Sequence, residues 1–257
     1  MIDIHSHILP GIDDGSKSIE ESIEILTQAE KNGVTDIILT PHYMLGSEYV
    51  VNNDEKRKLL TKLKRYAKKE GLNVNLYLGN EVFVENDMPR LKKEKEITTL
   101  NNSNYLLFEL PLNYRYNGVD EVLFELGCKG FIPVLAHPER YGFIKEDPRR
   151  IEDLIDKGAI IQCNLESFLG KYGKHAQANA ILFLKHNMIS FIGSDVHHSK
   201  NKFYDDIEEV KEIMRKYISE EEIENLFTNN AKKIFDKEVI SSPEYKPIKR
   251  GLFHKWK

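Results

Sequence analysis

Seven short, mainly apolar runs recur along the chain, and most are followed by a stretch of helical periodicity. The runs are Ile2–Ile4, Ile37–Leu39, Val74–Leu78, Tyr105–Phe108, Phe131–Ala136, Ala159–Cys163 and Met188–Ile192. Mainly apolar runs of this length suit short buried strands. Helices separate them. Ser18 with Glu21 three residues on forms a capping box, and Ile19, Ile23, Leu26 and Ala29 give the stripe that follows. A second helix is expected from Asp54 to Glu70, others over Val119–Leu126, Ile151–Asp156 and Ala176–His186, and the remainder is helical to about Asp236. Val84–Asn102 reads as irregular. Pro133 lacks an amide donor, so the fifth strand is expected to start after it.

Strand–helix alternation with short connections argues for parallel strands joined by right-handed crossovers. At 257 residues the chain can build one sizeable core, and a count of seven predicts a distorted, TIM-like (β/α)7 barrel. An open doubly wound sheet is the competing architecture; in both, the carboxyl ends of the strands carry the site. We expect a single domain over residues 1–240, then a basic, flexible tail over 241–257. That tail carries Lys246, Lys249, Arg250, Phe253, Lys255, Trp256 and Lys257, a composition suited to peripheral contact with an acidic membrane surface.

Composition excludes several classes. A formal charge of −4 gives no polyanion-binding signature, so nucleic acid is not an expected partner. No apolar run is long enough to span a bilayer, and Asp3 interrupts the start of any secretion signal. Cys128 and Cys163 form no C-x-x-C pair, which suits a reducing cytoplasm and disfavours thiol chemistry.

The chemistry collects just beyond the strands. The residues there are His5 and His7, His42, Glu81, Glu109, His137, Asn164, then Asp195 and His197, with Asp14 in the turn after the first strand. A single histidine at a strand end is an ordinary polar residue; a phase shared by almost every strand points to a metal site. Imidazole and carboxylate without thiolate suit Mn, Fe or Zn. Eight or nine such residues call for more than one ion at roughly three to four protein ligands each, and multinuclear sites favour phosphate ester hydrolysis. Arg140, three residues beyond His137, lies where a guanidinium could grip phosphate oxygens. Tyr43-Met44-Leu45 and Tyr114-Arg115-Tyr116 are loop residues that could flank an aromatic ring.

His5-Ser6-His7, Asp13-Asp14-Gly15, Thr40-Pro41-His42, Glu81, Glu109-Leu110-Pro111, Ala136-His137-Pro138-Glu139-Arg140-Tyr141 and Gly193-Ser194-Asp195-Val196-His197 resemble the PHP (polymerase and histidinol phosphatase) superfamily. Within it they resemble the bacterial manganese-dependent protein-tyrosine phosphatases of capsule and exopolysaccharide operons. Asp14 and Glu109 match that branch, where histidines are more usual in the wider superfamily. The resemblance implies three ions, Mn²⁺ with Fe, Zn, Mg or Co as other occupants. One would take His5, His7, Glu81 and Asp195; a second Glu81, Glu109 and His137; the third Asp14, His42 and His197. It implies a catalytic role for Arg140 and leaves open whether Lys202 replaces a second site arginine. It also implies hydrolysis of phosphotyrosine on the tail of a membrane-associated bacterial tyrosine kinase. Another metallohydrolase of the superfamily, acting on small phosphomonoesters or nucleic acid, and a metal-dependent interaction module of the polysaccharide machinery stay open as alternatives.

Overall fold

All strand pairings are parallel, and the path of hydrogen bonds runs round a closed ring. The computed structural model describes residues 1–85, 88, 96–240 and 244–249. Strands β1 (Ile2–Asp3), β2 (Asp36–Leu39) and β4 (Asn75–Leu78) form one sheet. Strands β3 (His42–Tyr43), β5 (Glu81–Phe83), β6 (Tyr105–Glu109), β7 (Ile132–Ala136), β8 (Ile160–Asn164) and β9 (Phe191–Gly193) form the other. Because β3 continues the path of β2, and β5 that of β4, the two sheets are one seven-path wall broken twice.

Closure is made at one point. Ser6 bridges Val196 in parallel, His7 N–H donates to Val196 O at 2.9 Å, and Asp195 N–H donates to His5 O at 2.9 Å. Below this seam, the buried Asp3 carboxylate accepts from Ser194 N–H (3.0 Å), Ser194 Oγ (2.6 Å) and Tyr204 Oη (2.7 Å). A doubly wound sheet would leave two open edges here; the distorted barrel is the fold.

The breaks in the second and third paths have a local cause. Pro41 cannot donate, and Gly79-Asn80 intervenes, with Asn80 Nδ2 donating to Pro41 O at 2.8 Å and holding the two breaks together. Pro133, by contrast, lies inside β7, correcting the expected later start. Ile132 N–H donates to Asn104 O at 2.8 Å on one side, so residue 133 would face the other side, where pairing begins only at Val134 with Ile160. No donor is missed. The last strand starts at Phe191 rather than Met188, because Met188 N–H is spent on Phe183 O at the preceding helix end.

Helices α1 (Ile19–Lys31), α2 (Asn53–Lys69), α3 (Val119–Cys128), α4 (Gly142–Glu146), α5 (Arg150–Asp156) and α6 (Lys174–Lys185) cover the outside. Ser18 Oγ accepts from Glu21 N–H at the start of α1, but the Glu21 carboxylate accepts from Lys17 N–H rather than Ser18 N–H, so only half of the expected capping box forms. The C-terminal helical region divides into α7 (Ile207–Met214), α8 (Glu220–Glu224) with a π-turn, and α9 (Asn230–Asp236). Within the ring, Ile4, Ile38, Leu107, Val134, Ile160 and Phe191 are fully or almost fully buried, with Ala231 and Ile234 of α9 closing the bottom. Each such aliphatic or aromatic side chain contributes about 1.5–3 kcal/mol. The lower barrel therefore carries stability, and the mouth is left to hold charge.

Among the described residues, no helix is long and apolar enough to cross a membrane. Of the expected flexible tail, residues 244–249 lie along the body: Tyr245 Oη donates to Asp156 Oδ1 at 2.8 Å, Lys246 N–H to His186 O at 2.9 Å, and Ile248 is buried. Residues 241–243 and 250–257, with Arg250, Phe253, Lys255, Trp256 and Lys257, lie outside the described residues, as do residues 86, 87 and 89–95 of the irregular stretch.

Candidate metal centre

His5 and His7 leave β1 on an extended path, so alternation turns both rings the same way and brings their Nε2 atoms to 3.2 Å. The His7 ring is set by Asp13, whose Oδ2 accepts from Nδ1 at 2.8 Å; the same carboxylate accepts from Gly15 N–H and His42 N–H. Gly15 is required for this turn, since a Cβ there would lie 2.1 Å from His7 O. The break between β4 and β5 delivers Glu81 to the centre of the mouth. Its Oε2 is 3.2 Å from His5 Nε2, from His7 Nε2 and from His42 Nδ1, and its Oε1 is 2.9 Å from His137 Nε2.

The other expected ligands close round this carboxylate. Asp195 Oδ1 lies 3.4 Å from both His5 Nε2 and His7 Nε2. Glu109 is 3.4 Å from His42 Nδ1 and 3.9 Å from His137 Nε2, and Asp14 Oδ1 is 3.4 Å from His42 and 3.6 Å from His197. Three groups of potential donors result: His5, His7, Glu81 and Asp195; His42, Glu81 and Glu109; and His7, Asp14, His42 and His197. The first coincides with an expected set. The other two differ in that His42 and His7 each face two groups, while His137 stands beside the second.

Two of these residues occupy strained backbone. His137 (φ 37°) and Asp195 (φ 55°) are left-handed without being glycine, which costs of order 1–3 kcal/mol and is kept where neighbours fix it. Here His137 N–H donates to Gln162 O at 2.8 Å and Asp195 N–H to His5 O, so adjoining strands hold both.

The arrangement fits cations. Two ligands about 2.0–2.2 Å from one ion stand about 3.0–3.5 Å apart at ordinary angles, the spacing seen in the first group. His137 Nδ1 and Glu81 Oε2 are buried with no hydrogen-bond partner among the described residues. Burial, then Glu81 and Asp195, pushes the Glu109 carboxyl well above its ordinary value, the mark of uncompensated negative charge. Burial, then His7, pulls the His197 imidazole down to about 4, leaving a neutral ring with a free lone pair. Asp13, Asp14, Glu81, Glu109 and Asp195 are five carboxylates against one nearby guanidinium, and divalent ions are the natural counter-charge.

Beside the cluster opens a cleft of about 610 Å³ lined by Asp14, Arg140, Tyr172, Asp195, His197 and Phe203 among others. Arg140 Nη1 donates to Asp195 Oδ2 at 2.9 Å, and its guanidinium lies 4.3 Å from the centre of the Tyr172 ring. Burial works against the charge, but Asp195, Tyr172, Glu139 and Glu81 together outweigh it, and Arg140 stays above its ordinary pKa.

The family described as "Capsular polysaccharide synthesis, CpsB/CapC" matches residues 1–236. The chain belongs to the CpsB/CapC family. It is 39% identical over 203 residues to a putative tyrosine-protein phosphatase CapC of Staphylococcus aureus, covering 79% of each chain. It is 31% identical over 252 residues to the tyrosine-protein phosphatase YwqE of Bacillus subtilis, covering 97% of each. A crystal structure from work on YwqE and CpsB of Streptococcus pneumoniae, described as unique metal-dependent tyrosine phosphatases, superposes with TM-score 0.87 at 31% identity, over 97% of this chain and 100% of that one. A histidinol phosphate phosphatase of Lactococcus lactis shares the fold, at TM-score 0.52 and 15% identity, covering 84% of this chain and 93% of that one.

In this CpsB/CapC chain the nine expected metal ligands and Arg140 meet at one mouth, and Lys202 does not join them. Asn201 and Phe203 line the cleft on either side of Lys202, which is exposed at a left-handed turn (φ 50°) between two 3-10 segments. The lysine that lines the cleft is Lys171, which donates to Glu166 at 2.6 Å and also to Asp206. Sequence reasoning missed Lys171 and Tyr172, which no strand end marks. It also missed the supporting roles of Asp13, beside Asp14, and of Gln162, whose backbone carbonyl accepts from His137 N–H. Tyr43 is buried, so it is not available to a substrate ring; Tyr114 is exposed on its loop.

Proposed function

We propose that this mouth hydrolyses phosphotyrosine in a metal-dependent reaction, with His5, His7, Asp14, His42, Glu81, Glu109, His137, Asp195 and His197 as the ligands. The observation that carries the reading is Glu81 Oε2, equidistant at 3.2 Å from three imidazole nitrogens beside a guanidinium-bearing cleft. Three ions suit the three donor groups, and Mn²⁺ suits their imidazole and carboxylate chemistry, with Fe, Zn, Mg or Co as other occupants. When bound, such ions supply Lewis-acid stabilisation of phosphate oxygens and a water acidic enough to be nucleophilic near neutral pH.

The chain's own residues do the rest. Arg140, steadied by Asp195 and by the Tyr172 face, offers its remaining N–H groups to the phosphate and stabilises charge that develops there. Tyr172 and Phe203 give the cleft aromatic walls for a phenyl ring. The leaving phenolate needs less proton assistance than an alkoxide, because a tyrosine has a pKa of about 10. The natural substrate we propose is the Tyr-rich tail of a membrane-associated tyrosine kinase of capsular polysaccharide synthesis, met in the cytoplasm; a disordered tail can enter an open cleft.

The deciding experiment compares turnover of phosphotyrosine peptide, phosphoserine peptide, histidinol phosphate and DNA, with and without Mn²⁺. Preferential, Mn²⁺-dependent release from the phosphotyrosine peptide is expected. Preference for histidinol phosphate or DNA would overturn the reading in favour of another metallohydrolase of this fold. No turnover of any would favour an interaction module.

A further inference from the structure

Two amides on β8, Gln162 and Asn164, stand between two members of the first donor group. Being two residues apart on a strand, they point to the same face. His5 Nδ1 is 2.8 Å from Gln162 Oε1, Gln162 Nε2 is 3.0 Å from Asn164 Oδ1, and Asn164 Nδ2 is 2.6 Å from Asp195 Oδ2. Gln162 and Asn164 are fully buried. Gly193, on the neighbouring strand, leaves room for the row: a Cβ there would sit 2.9 Å from Gln162 Nε2 and 2.8 Å from His5 Cβ.

The row has only one workable polarity. An ionised Asp195 oxygen can only accept, so Asn164 must present its NH₂ and turn its carbonyl towards Gln162. That carbonyl also only accepts, so Gln162 must present its NH₂ there and its carbonyl to His5. His5 Nδ1 must then carry the hydrogen, which leaves a lone pair on Nε2, the atom 3.2 Å from Glu81 Oε2 and 3.4 Å from Asp195 Oδ1. We propose that Gln162 and Asn164 are positioning residues that convert the charge of Asp195 into the metal-ready tautomer of His5, so that both ligands are primed together. The relay also occupies Asp195 Oδ2, jointly with Arg140, and reserves Oδ1 for the ion. Orientation of ligating imidazoles by such outer partners is generally worth 10–100-fold in metal affinity, a scale of about two powers of ten at most.

This rests on the metal-centre reading above, so the test separates the two. In the metal-free protein in alkaline buffer, long-range ¹H–¹⁵N correlation reports which His5 nitrogen bears the hydrogen. Wild type is expected to be protonated at Nδ1, and Gln162→Leu to lose that preference, while Mn²⁺ titration followed by electron paramagnetic resonance shows roughly 10–100-fold weaker binding at the tightest site. Gln162→Met serves if the leucine variant fails to fold. A residue that only fills space would change the thermal midpoint and leave the ring tautomer alone. His5 protonated at Nε2 in wild type, or a folded Gln162 variant that binds Mn²⁺ as wild type does, overturns the relay. Wild type that binds no Mn²⁺ overturns the metal reading instead, and the tautomer of the metal-free ring still decides the relay.

Discussion

Arg140 Nη1 donates to Asp195 Oδ2 at 2.9 Å, so the guanidinium that faces the cleft is anchored to a carboxylate of the proposed metal centre. Because the anchor uses one edge of a planar fork, lysine cannot reproduce both anchor and grip. Arg140→Lys and Arg140→Ala are each expected to lose roughly 10²–10³ in kcat on phosphotyrosine peptide, the size of losing one charge-stabilising donor. Bound metal, measured by elemental analysis, should stay as in wild type. Turnover by Arg140→Lys within a few-fold of wild type would remove Arg140 from the chemistry.

Five carboxylates packed at one mouth make the metal-free protein the less stable form. Chelation is expected to abolish turnover and lower the thermal midpoint, and Mn²⁺ at about a hundred times its Kd should restore about 2.7 kcal/mol. Glu81→Ala should bind less metal and show a smaller Mn²⁺-dependent rise in midpoint. Calorimetry in graded Mn²⁺ reads both, and a midpoint indifferent to Mn²⁺ would refute the expectation.

Gly15→Ala tests the turn that sets His7. The added Cβ would lie 2.1 Å from His7 O and 2.5 Å from His7 Cβ, so the chain carrying His7 must shift. A cost of about 1–3 kcal/mol, typical of overpacking, is expected together with weakened Mn²⁺ binding, read by denaturant titration and metal analysis of one preparation. Wild-type stability and metal content would show that the turn yields freely.

Lys56, which is not itself one of the proposed ligands, gives a pH signature. It is fully buried on α2, donating to Asn80 Oδ1 and, at 3.4 Å, to Glu96 O, and burial pulls its ammonium down to about 7. In the unfolded chain its pKa is about 10.4, so between these values the unfolded state binds more protons and stability rises with pH. The destabilisation is complete below about 7 and gone above about 10, with a slope of roughly 1.4 kcal/mol per pH unit within that window. Lys56→Met should lose this slope relative to wild type in urea melts across the window; parallel pH profiles would contradict it.

The barrel and the residues gathered at its mouth were legible because both obey short-range rules. Mainly apolar runs mark short buried strands, and His5, His42, Glu81, Glu109, His137 and Asp195 keep phase with their ends. What escaped depends on neighbours distant in sequence. Gln162 reads as an ordinary strand residue until His5 is seen 2.8 Å away, 157 positions earlier. Position along the chain points to Lys202, but its turn at φ 50° sends Asn201 and Phe203 to the cleft, and Lys171 comes in from the segment after β8. Pro133 would break a strand paired on both sides, whereas here the ladder towards β8 starts one residue later.

The ring of strands is joined at Ser6 and Val196, and the donors of the mouth straddle that join: His5 and His7 on one side, Asp195 and His197 on the other, with the His7 and His197 rings stacked at 4.0 Å. An ion held there as proposed would be gripped from both sides, a clasp as well as a reagent. Loading the mouth fastens the opening segment of the chain to one almost two hundred positions later, and stripping it leaves the hoop free to gape at its thinnest stave, where amide exchange should quicken first.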